Sequence, residues 1–309
     1  MGRVKYSVVI PLYNKAEYIQ RTIKSALKQN FQDFEVIVVD DGSTDDSQEQ
    51  ARQAASDKVR IIPQENQGTA AARNTGIQHA CGEYIAFLDA DDEWGPHYLE
   101  TIDRLTEAYP QSDIFVTAYR IAMGGGKYNY SSQLTPAQGC LDSYWMTFQY
   151  PYDFVWTSAV TIRKTAILKA GCFKPGEKIG QDLDLWARVA RNNPKVAYSS
   201  KVCVTYNRMA GQNARSREKI ACAAAFLKDL EEELENTAHT REELEMIQYK
   251  YDLKMTVYVF TCILAGEKTR ARNVYAAWRG KRTARTRLLR AGLKAAMMMP
   301  GGVNRLLYQ

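Results

Sequence analysis

Apolar residues in the first 120 positions come in short β-branched runs separated by stretches with helical spacing. Tyr6–Pro11, Glu35–Asp40, Val59–Pro63 and Tyr84–Asp89 have the length and the Val/Ile content of strands. Between the first two, Ile19, Ile23, Ala26 and Leu27 fall at i, i+4, i+7 and i+8, which predicts an amphipathic helix. Strands alternating with helices imply βαβ units and a parallel sheet, with VVI, VIVV and YIAFL buried on both faces. Ligands of such open sheets bind beyond the carboxyl ends of the strands. Pro11–Asn14, Asp40–Asp45 and Asp89–Asp92 therefore carry the first expectations of function.

Further along, Ile114–Tyr119 predicts another strand, and the Gly- and Tyr-rich stretch Met123–Tyr152, with no sustained period, a long loop region over the sheet. Phe154–Ile162 reads as a strand, Arg163–Ala170 as a short helix, Asp182–Arg191 as a second helix and Val196–Arg208 as a closing strand. From about Arg217 only helical patterns remain, including Lys219–Glu235 and Arg241–Leu264. A boundary in Gln212–Ser216 would separate a domain over 1–215, with halves of about 1–120 and 121–215, from a helical extension over 216–309.

Composition adds two points. With 309 residues, 45% apolar and 25% charged, the chain can bury one large core or a core and an annex, and disorder is not expected. The net charge of +6 hides an asymmetry: 268–309 holds eleven Lys/Arg and no Asp or Glu, leaving 30 basic against 35 acidic residues on 1–267. Leu288, Leu289, Gly292, Leu293, Ala296 and Met297 recur at helical spacing with Arg287, Arg290 and Lys294 on the other side. That pattern suits an interfacial helix on an anionic membrane surface, or a helix packed on the protein with a solvated basic face. The tail has no recognised nucleic-acid motif, so no nucleic-acid partner is expected. No run of eighteen apolar residues occurs, and the opening apolar run meets Asn14 and Lys15 too early for a signal peptide. The six cysteines are scattered without a CxxC pair, and His79, His97 and His239 lack ligand spacing. Reduced thiols in a cytoplasm, with or without peripheral attachment to the membrane, are the expectation.

The candidate chemistry lies at the strand ends. Asp40-Asp41-Gly42-Ser43-Thr44-Asp45 reads either as a turn with an N-cap or as part of a site. In Asp89-Ala90-Asp91-Asp92, three carboxylates in four residues repel one another unless a cation or solvent offsets them, and they offer the hard oxygen ligands that Mg²⁺ or Mn²⁺ prefers. Between these groups Arg73 stands in an Ala-rich turn, where a guanidinium could balance carboxylates or meet phosphate oxygens. Trp145, Trp156, Tyr144, Tyr150 and Tyr152 are core residues or a platform on which flat ligand faces stack, whereas Trp186, with Leu183 and Val189 at i−3 and i+3, reads as packing.

Four motifs concur in order and spacing over residues 6 to about 110: Val8-Val9-Ile10-Pro11-Leu12-Tyr13-Asn14, Val38-Val39-Asp40-Asp41-Gly42-Ser43-Thr44-Asp45, Asn66-x-Gly68 to Ala72-Arg73-Asn74-x-Gly76, and Phe87-Leu88-Asp89-x-Asp91-Asp92. They closely resemble family two glycosyltransferases. Gly171-Cys172-Phe173 and Gly180-Gln181-Asp182-Leu183-Asp184-Leu185-Trp186-x-Arg188 are similar to that family's acceptor-side motif.

The resemblance implies an α/β domain of the A-type glycosyltransferase fold, Rossmann-like with a mostly parallel central sheet, followed here by the α-helical C-terminal extension. It implies a nucleotide-diphospho-sugar donor, UDP-linked as in most relatives, and a divalent metal ion, Mg²⁺ or Mn²⁺. Asp41 would contact the nucleotide base, Asp89 the ribose or metal region and Asp91, in the DxD triplet, the metal bridging the diphosphate. Asp182 would be the catalytic base. Pro11, Tyr13, Asn14 and Arg73 join the donor side, and Trp156, Gln181 and Asp184 are candidates for the acceptor side. Gln181 stands where the family usually has Glu, which removes a negative charge beside Asp182 and leaves Asp182 and Asp184 both open as the base. Without a QxxRW motif, transfer of a single sugar or short chain is expected rather than polymer synthesis. One base and one displacement give inversion. A hydroxyl of a glycan or lipid-linked saccharide would accept the sugar, in cell-surface polysaccharide synthesis. A catalytically silent nucleotide-sugar-binding homologue is the alternative, with a phosphoacceptor domain, a sugar nucleotidylyltransferase or a nucleic-acid-binding protein less well matched.

Overall fold

A computed structural model describes residues 4–123, 126–130, 136–150, 152–176, 180–207, 225–278, 290, 291, 293 and 294. The chain divides into two compact units, Met1–Gly176 with Gln181–Gly211, and Glu177–Gly180 with Gln212–Gln309.

The first unit runs β1 (Tyr6–Leu12), α1 (Ala16–Leu27), β2 (Phe34–Asp41), α2 (Ser47–Ala54), β3 (Val59–Gln64), α3 (Thr69–His79), β4 (Tyr84–Phe87), β5 (Glu93–Trp94), α4 (Tyr98–Ala108), β6 (Ile114–Ala122), β7 (Tyr128–Tyr130), β8 (Gln138–Leu141), β9 (Val160–Arg163), α5 (Lys164–Lys169), α6 (Gln181–Asn192) and β10 (Val196–Asn207). These ten strands form one sheet, eight of them in the order β3-β2-β1-β4-β9-β6-β10-β5, with β7 paired to β6 and β8 to β10. It is parallel through β3-β2-β1-β4 and again between β6 and β10, while β9 runs antiparallel between β4 and β6. Every residue of β1 and β2 is buried, as helices on both faces of a parallel sheet require. The register pairs Leu12 with Asp40, so the ends of β1 and β2 deliver their loops to the same edge. Helix α3 lies so close on β1 that a Cβ on Gly76 would stand 2.4 Å from Val9 Cγ1.

Two expectations for this unit are corrected. Met123–Tyr152, expected as loop, carries β7, β8 and a 3-10 helix over Tyr144–Gln149 that buries Tyr144, Trp145 and Phe148. Elements of three to six residues are too short to sustain a period. The strand expected over Phe154–Ile162 starts only at Val160, after a 3-10 turn at Thr157–Ala159. Tertiary bonds at the turn explain the bend: the Trp94 indole donates to the Ser158 carbonyl (2.7 Å) and the Ser158 hydroxyl to Asp92 (2.6 Å).

The second unit holds α7 (Ala225–Glu235), α8 (Arg241–Leu264) and α9 (Lys268–Ala277). Helix α8 opens on a capping box, in which Glu243 N–H donates to the Thr240 hydroxyl (3.2 Å) and Thr240 N–H to the Glu243 carboxylate (2.8 Å). The Tyr251 hydroxyl of α8 donates to Glu231 of α7 (2.6 Å), and the Trp278 indole to Asp252 (2.8 Å). Among the described residues no helix is long and apolar enough to cross a membrane. The boundary at Gln212–Ser216, the end of the closing strand at Arg208 and the helix expected from Lys219 to Ala224 lie outside the described residues. So does most of the amphipathic segment 287–297. Of it, Leu293 is buried and the Arg290 guanidinium lies over the rings of Tyr275 (5.3 Å) and Trp278 (4.8 Å).

Candidate active site

Two loops at the carboxyl ends of β1 and β2 are laced together. Asn14, at φ +49, donates its backbone N–H to the Ser43 hydroxyl (3.1 Å) and accepts from Thr44 N–H at its side-chain oxygen (2.8 Å). Such a left-handed position suits Asn among non-glycine residues. Lys15 N–H donates to the Ser47 hydroxyl (2.7 Å), and the Asp45 carboxylate receives N–H groups from Ala16 (3.2 Å) and Ser47 (3.0 Å). Burial pushes the Asp45 carboxyl up, but these bonds outweigh it and hold it below the ordinary range. Gly42 sits at φ +70, and a Cβ there would come within 2.9 Å of Asn66 N. Pro11 is buried within β1, whereas Tyr13 is 44% exposed at its end.

Asp41 is buried and accepts the N–H groups of Gln67 (2.9 Å) and Gly68 (2.8 Å) and the Gln64 amide (2.7 Å). Its carboxylate thus shapes the loop that leads into α3, whatever it meets on the ligand side. Asp40 accepts Ser43 N–H (3.1 Å).

The Asp89–Asp92 group lies where β4 ends. Arg73 is buried and donates to Asp89 (2.7 Å), and its guanidinium packs 5.3 Å from the Phe173 ring. Its Nε and Nη1 have no hydrogen-bond partner in the protein. A buried guanidinium with two unmet donors is costly unless a ligand supplies acceptors. Asp91 pairs with Lys15 at 2.7 Å. Asp92 is fully enclosed, accepting the Ser158 hydroxyl (2.6 Å) and Asn207 N–H (3.0 Å). Burial and the charges of Asp91 and Asp89 push the Asp92 carboxyl well above its ordinary value; burial, with Asp91 and Asp182 nearby, raises that of Asp89 despite Arg73.

Near the start of α6, Asp182 and Asp184 have different surroundings. Asp182 is part-buried and accepts the Thr157 hydroxyl (2.8 Å) and Leu183 N–H (2.9 Å). Asp184 is fully buried in an ion-pair group with Lys174 (2.6 Å) and Arg188, whose Nε approaches to 3.0 Å. Arg188 also donates to the carbonyls of Ala170 and Cys172, the latter at 2.7 Å, which ties α6 to the Gly171-Cys172-Phe173 turn. Asn74 of α3 clamps that turn with a reciprocal pair of bonds to the Phe173 backbone (2.8 and 2.9 Å). Gln181 is buried, and Trp186 is buried against Phe87 and Phe173. Trp156 is part-buried, stacked on Tyr119 at 5.6 Å and tilted against Tyr206 at 4.5 Å.

The sequence singled out no role for Lys15, for Asn74 within its motif, or for Thr157, Ser158 and Asn207. Lys15 had a signal: it sits at the N-cap of α1, where Ser, Thr, Asp or Asn is favoured. The other four are ordinary polar residues whose partners lie 25 to 116 positions away.

Among the described residues no group of three His, Cys, Asp or Glu side chains could hold a metal by itself. The donors still suit a divalent ion in the way Mg²⁺ is usually held, by one or two carboxylates with substrate phosphates and water completing the shell. Burial first, and neighbouring carboxylates after it, raise the carboxyls of Asp89 and Asp92, and a cation there would offset the second of these causes.

The sequence matches glycosyl transferase family 2 over residues 7–169, more than half of the chain, and the protein belongs to that family. An uncharacterized glycosyltransferase of Nostoc sp. (alr2836) is 46% identical over 114 residues, 36% of this chain and 34% of its own. Glycosyltransferase GlyA of Streptococcus pneumoniae is 39% identical over 117 residues, 37% of this chain and 17% of its own. These matches span about a third or less of the length of either curated relative. S. aureus TarS 1–349 in complex with UDP-GlcNAc superposes with a TM-score of 0.66 at 18% identity, covering 95% of this chain and 88% of that one. The mannosyltransferase PcManGT of Pyrobaculum calidifontis, in complex with GDP-Man and Mn²⁺, gives a TM-score of 0.60 at 17% identity, covering 97% and 82%. The fold is that of A-type glycosyltransferases, an α/β domain with a mostly parallel central sheet followed by a helical C-terminal part.

Proposed function

We propose that the protein transfers a sugar from a nucleotide-diphospho-sugar, UDP-linked, to a hydroxyl of a glycan or lipid-linked saccharide, with inversion, in cell-surface polysaccharide synthesis. The observation that carries this reading is the bridge at Thr157–Ser158. The Ser158 hydroxyl binds Asp92 and Asp89 N–H while its neighbour Thr157 binds Asp182, so one turn sets the donor-side acids and the acceptor-side acid into a single site.

In this site Asp182 is the base. Its part-exposed carboxylate takes the proton of the acceptor hydroxyl as that oxygen attacks the anomeric carbon, and the bond from that carbon to the diphosphate breaks with its electron pair leaving on the diphosphate. Asp184 is enclosed by Lys174 and Arg188, and this supports Asp182 over Asp184. Arg73, with two buried N–H groups unmet, suits phosphate or ribose oxygens beside Asp89. Asp91 would hold a divalent ion, Mg²⁺ or Mn²⁺, which supplies Lewis-acid stabilisation of the leaving diphosphate when bound. Tyr13, Asn14, Pro11 and Asp41 border the nucleotide side, and Trp156 with Gln181 the acceptor side. The complexes of TarS with UDP-GlcNAc and of PcManGT with GDP-Man and Mn²⁺ agree with donor and metal classes of this kind.

The catalytic domain in this reading is 1–215, and 216–309 is an accessory helical part. Attachment of 268–309 to an anionic membrane on the cytoplasmic side rests on the charge of that segment. Arg290, one of its cations, is engaged within the second unit by Tyr275 and Trp278, and contributes less to such attachment.

A screen of UDP-, GDP- and dTDP-sugars, with and without Mg²⁺ or Mn²⁺, tests the reading by thermal protection and nucleotide release. One sugar nucleotide should raise the melting temperature and be turned over only with metal. No protection by any of them, at millimolar donor and metal, would overturn it.

A further inference from the structure

We propose that Lys15 is a built-in counter-ion for Asp91 that makes divalent-cation binding depend on the nucleotide diphosphate. The proposal rests on the metal reading of Asp91 given above. The Lys15 ammonium stands 2.7 Å from the Asp91 carboxylate, with the two side chains only 13% and 14% exposed. It thereby engages Oδ2 of the carboxylate on which a metal ion would be held.

Local structure argues that this contact is the purpose of the residue. Lys15 occupies the N-cap of α1 and makes no side-chain cap bond, since an ammonium has no acceptor. The work of a cap passes instead to Asp45, which accepts Ala16 N–H at 3.2 Å. A favoured local choice is thus forgone where a tertiary contact 76 positions away is gained, a conflict expected at functional positions. The Lys15 backbone is pinned to the Ser43–Ser47 loop through Ser47, while its side chain passes within 5.7 Å of the Tyr18 ring to the acids after β4. The residue joins the nucleotide-side loop to the diphosphate side.

The consequence is a coupling. A metal ion arriving alone competes with the ammonium for Asp91. A diphosphate brings its own anionic oxygens, to which the ammonium can turn on its flexible four-carbon stem, so metal and diphosphate together meet less opposition than metal alone. By linkage, each must strengthen the other by the same factor.

The test measures Mn²⁺ binding to the full chain by electron paramagnetic resonance, with and without UDP, in the wild type, Lys15→Met and Lys15→Arg. Wild type should bind Mn²⁺ at least about tenfold more tightly with UDP than without, and UDP should gain as much from Mn²⁺. Lys15→Met should bind Mn²⁺ alone at least about tenfold more tightly than wild type, with the UDP effect smaller by that factor and only the part due to diphosphate oxygens on the metal left, whereas Lys15→Arg keeps weak binding of the metal alone. Equal Mn²⁺ affinity of wild type and Lys15→Met without UDP overturns the proposal and leaves the metal reading standing. No Mn²⁺ binding to the wild type even with UDP overturns both. Should Lys15→Met fail to fold, independent binding of Mn²⁺ and UDP to the wild type alone is enough to overturn the proposal.

Discussion

Asp182 and Asp184 stand two residues apart on α6, and replacing each by Asn should produce opposite phenotypes. The Asp184 carboxylate is fully buried and pairs with Arg188, itself 12% exposed, and with Lys174, which is 50% exposed. Removing one partner of a buried pair costs about 3–5 kcal/mol, because the other charge is left without compensation. Lys174 can turn to water and adds little, and Arg188 keeps the carbonyls of Ala170 and Cys172. The low end, about 3 kcal/mol, is therefore expected for Asp184→Asn. At roughly 2–4 °C per kcal/mol for a unit of this size, its melting temperature should fall by roughly 6–12 °C. An amide at 182 can keep its oxygen on Leu183 N–H and turn its NH₂ to the Thr157 hydroxyl, which accepts as well as donates, so Asp182→Asn should lose less than about 1 kcal/mol. Its transfer rate should drop by at least about a hundredfold with donor affinity kept. Thermal melts, nucleotide release and donor titration on both variants, with activity read well below the lower melting point, decide the matter. An Asp184→Asn protein that melts with wild type refutes the burial argument. If it is also inactive while Asp182→Asn works normally, the base is Asp184.

Two further outcomes follow from packing and charge. Gly76→Ala gains about 1 kcal/mol of helix propensity, but its methyl would meet Val9 Cγ1 at 2.4 Å. Overpacking of that kind costs about 1–3 kcal/mol or more, so a net loss is expected in urea unfolding, partly recovered with Val9→Ala. A more stable Gly76→Ala protein would show that α3 does not sit so close on β1. Burial raises the Glu35 carboxyl, but bonds from Cys81 N–H, the Ser7 hydroxyl and Arg60 bring it below its ordinary value. A lowered acid stabilises the fold above its unfolded pKa and loses that contribution as pH falls through the folded one. The melting temperature of wild type should exceed that of Glu35→Gln at neutral pH, with the gap closing below the ordinary glutamate range. A gap constant with pH would exclude this role.

Much of the group of acids at the strand ends was legible in the chain. Strands buried on both faces must be continuous apolar runs, so β1, β2 and β4 announced themselves, and the acids at their ends followed within a few positions. The Asp89–Asp92 cluster and the Asp40–Asp45 loop are local patterns, and repulsion between neighbouring carboxylates can be inferred without a fold. Tertiary structure decided the rest, because the deciding contacts join residues far apart in sequence. Nothing near Lys15 says that its ammonium meets Asp91, and nothing near Ser158 says that its hydroxyl reaches Asp92 and bends an apolar run into a turn. Asp182 and Asp184 are alike in the sequence, but two helical positions lie about 200° apart around the axis. One therefore turns toward Thr157 and the acids after β4, and the other into the buried guanidinium of Arg188. Residue type and order set which chemistry was available, whereas burial and direction, which belong to the packed molecule, decided which of the two carboxylates is enclosed and which is part-exposed.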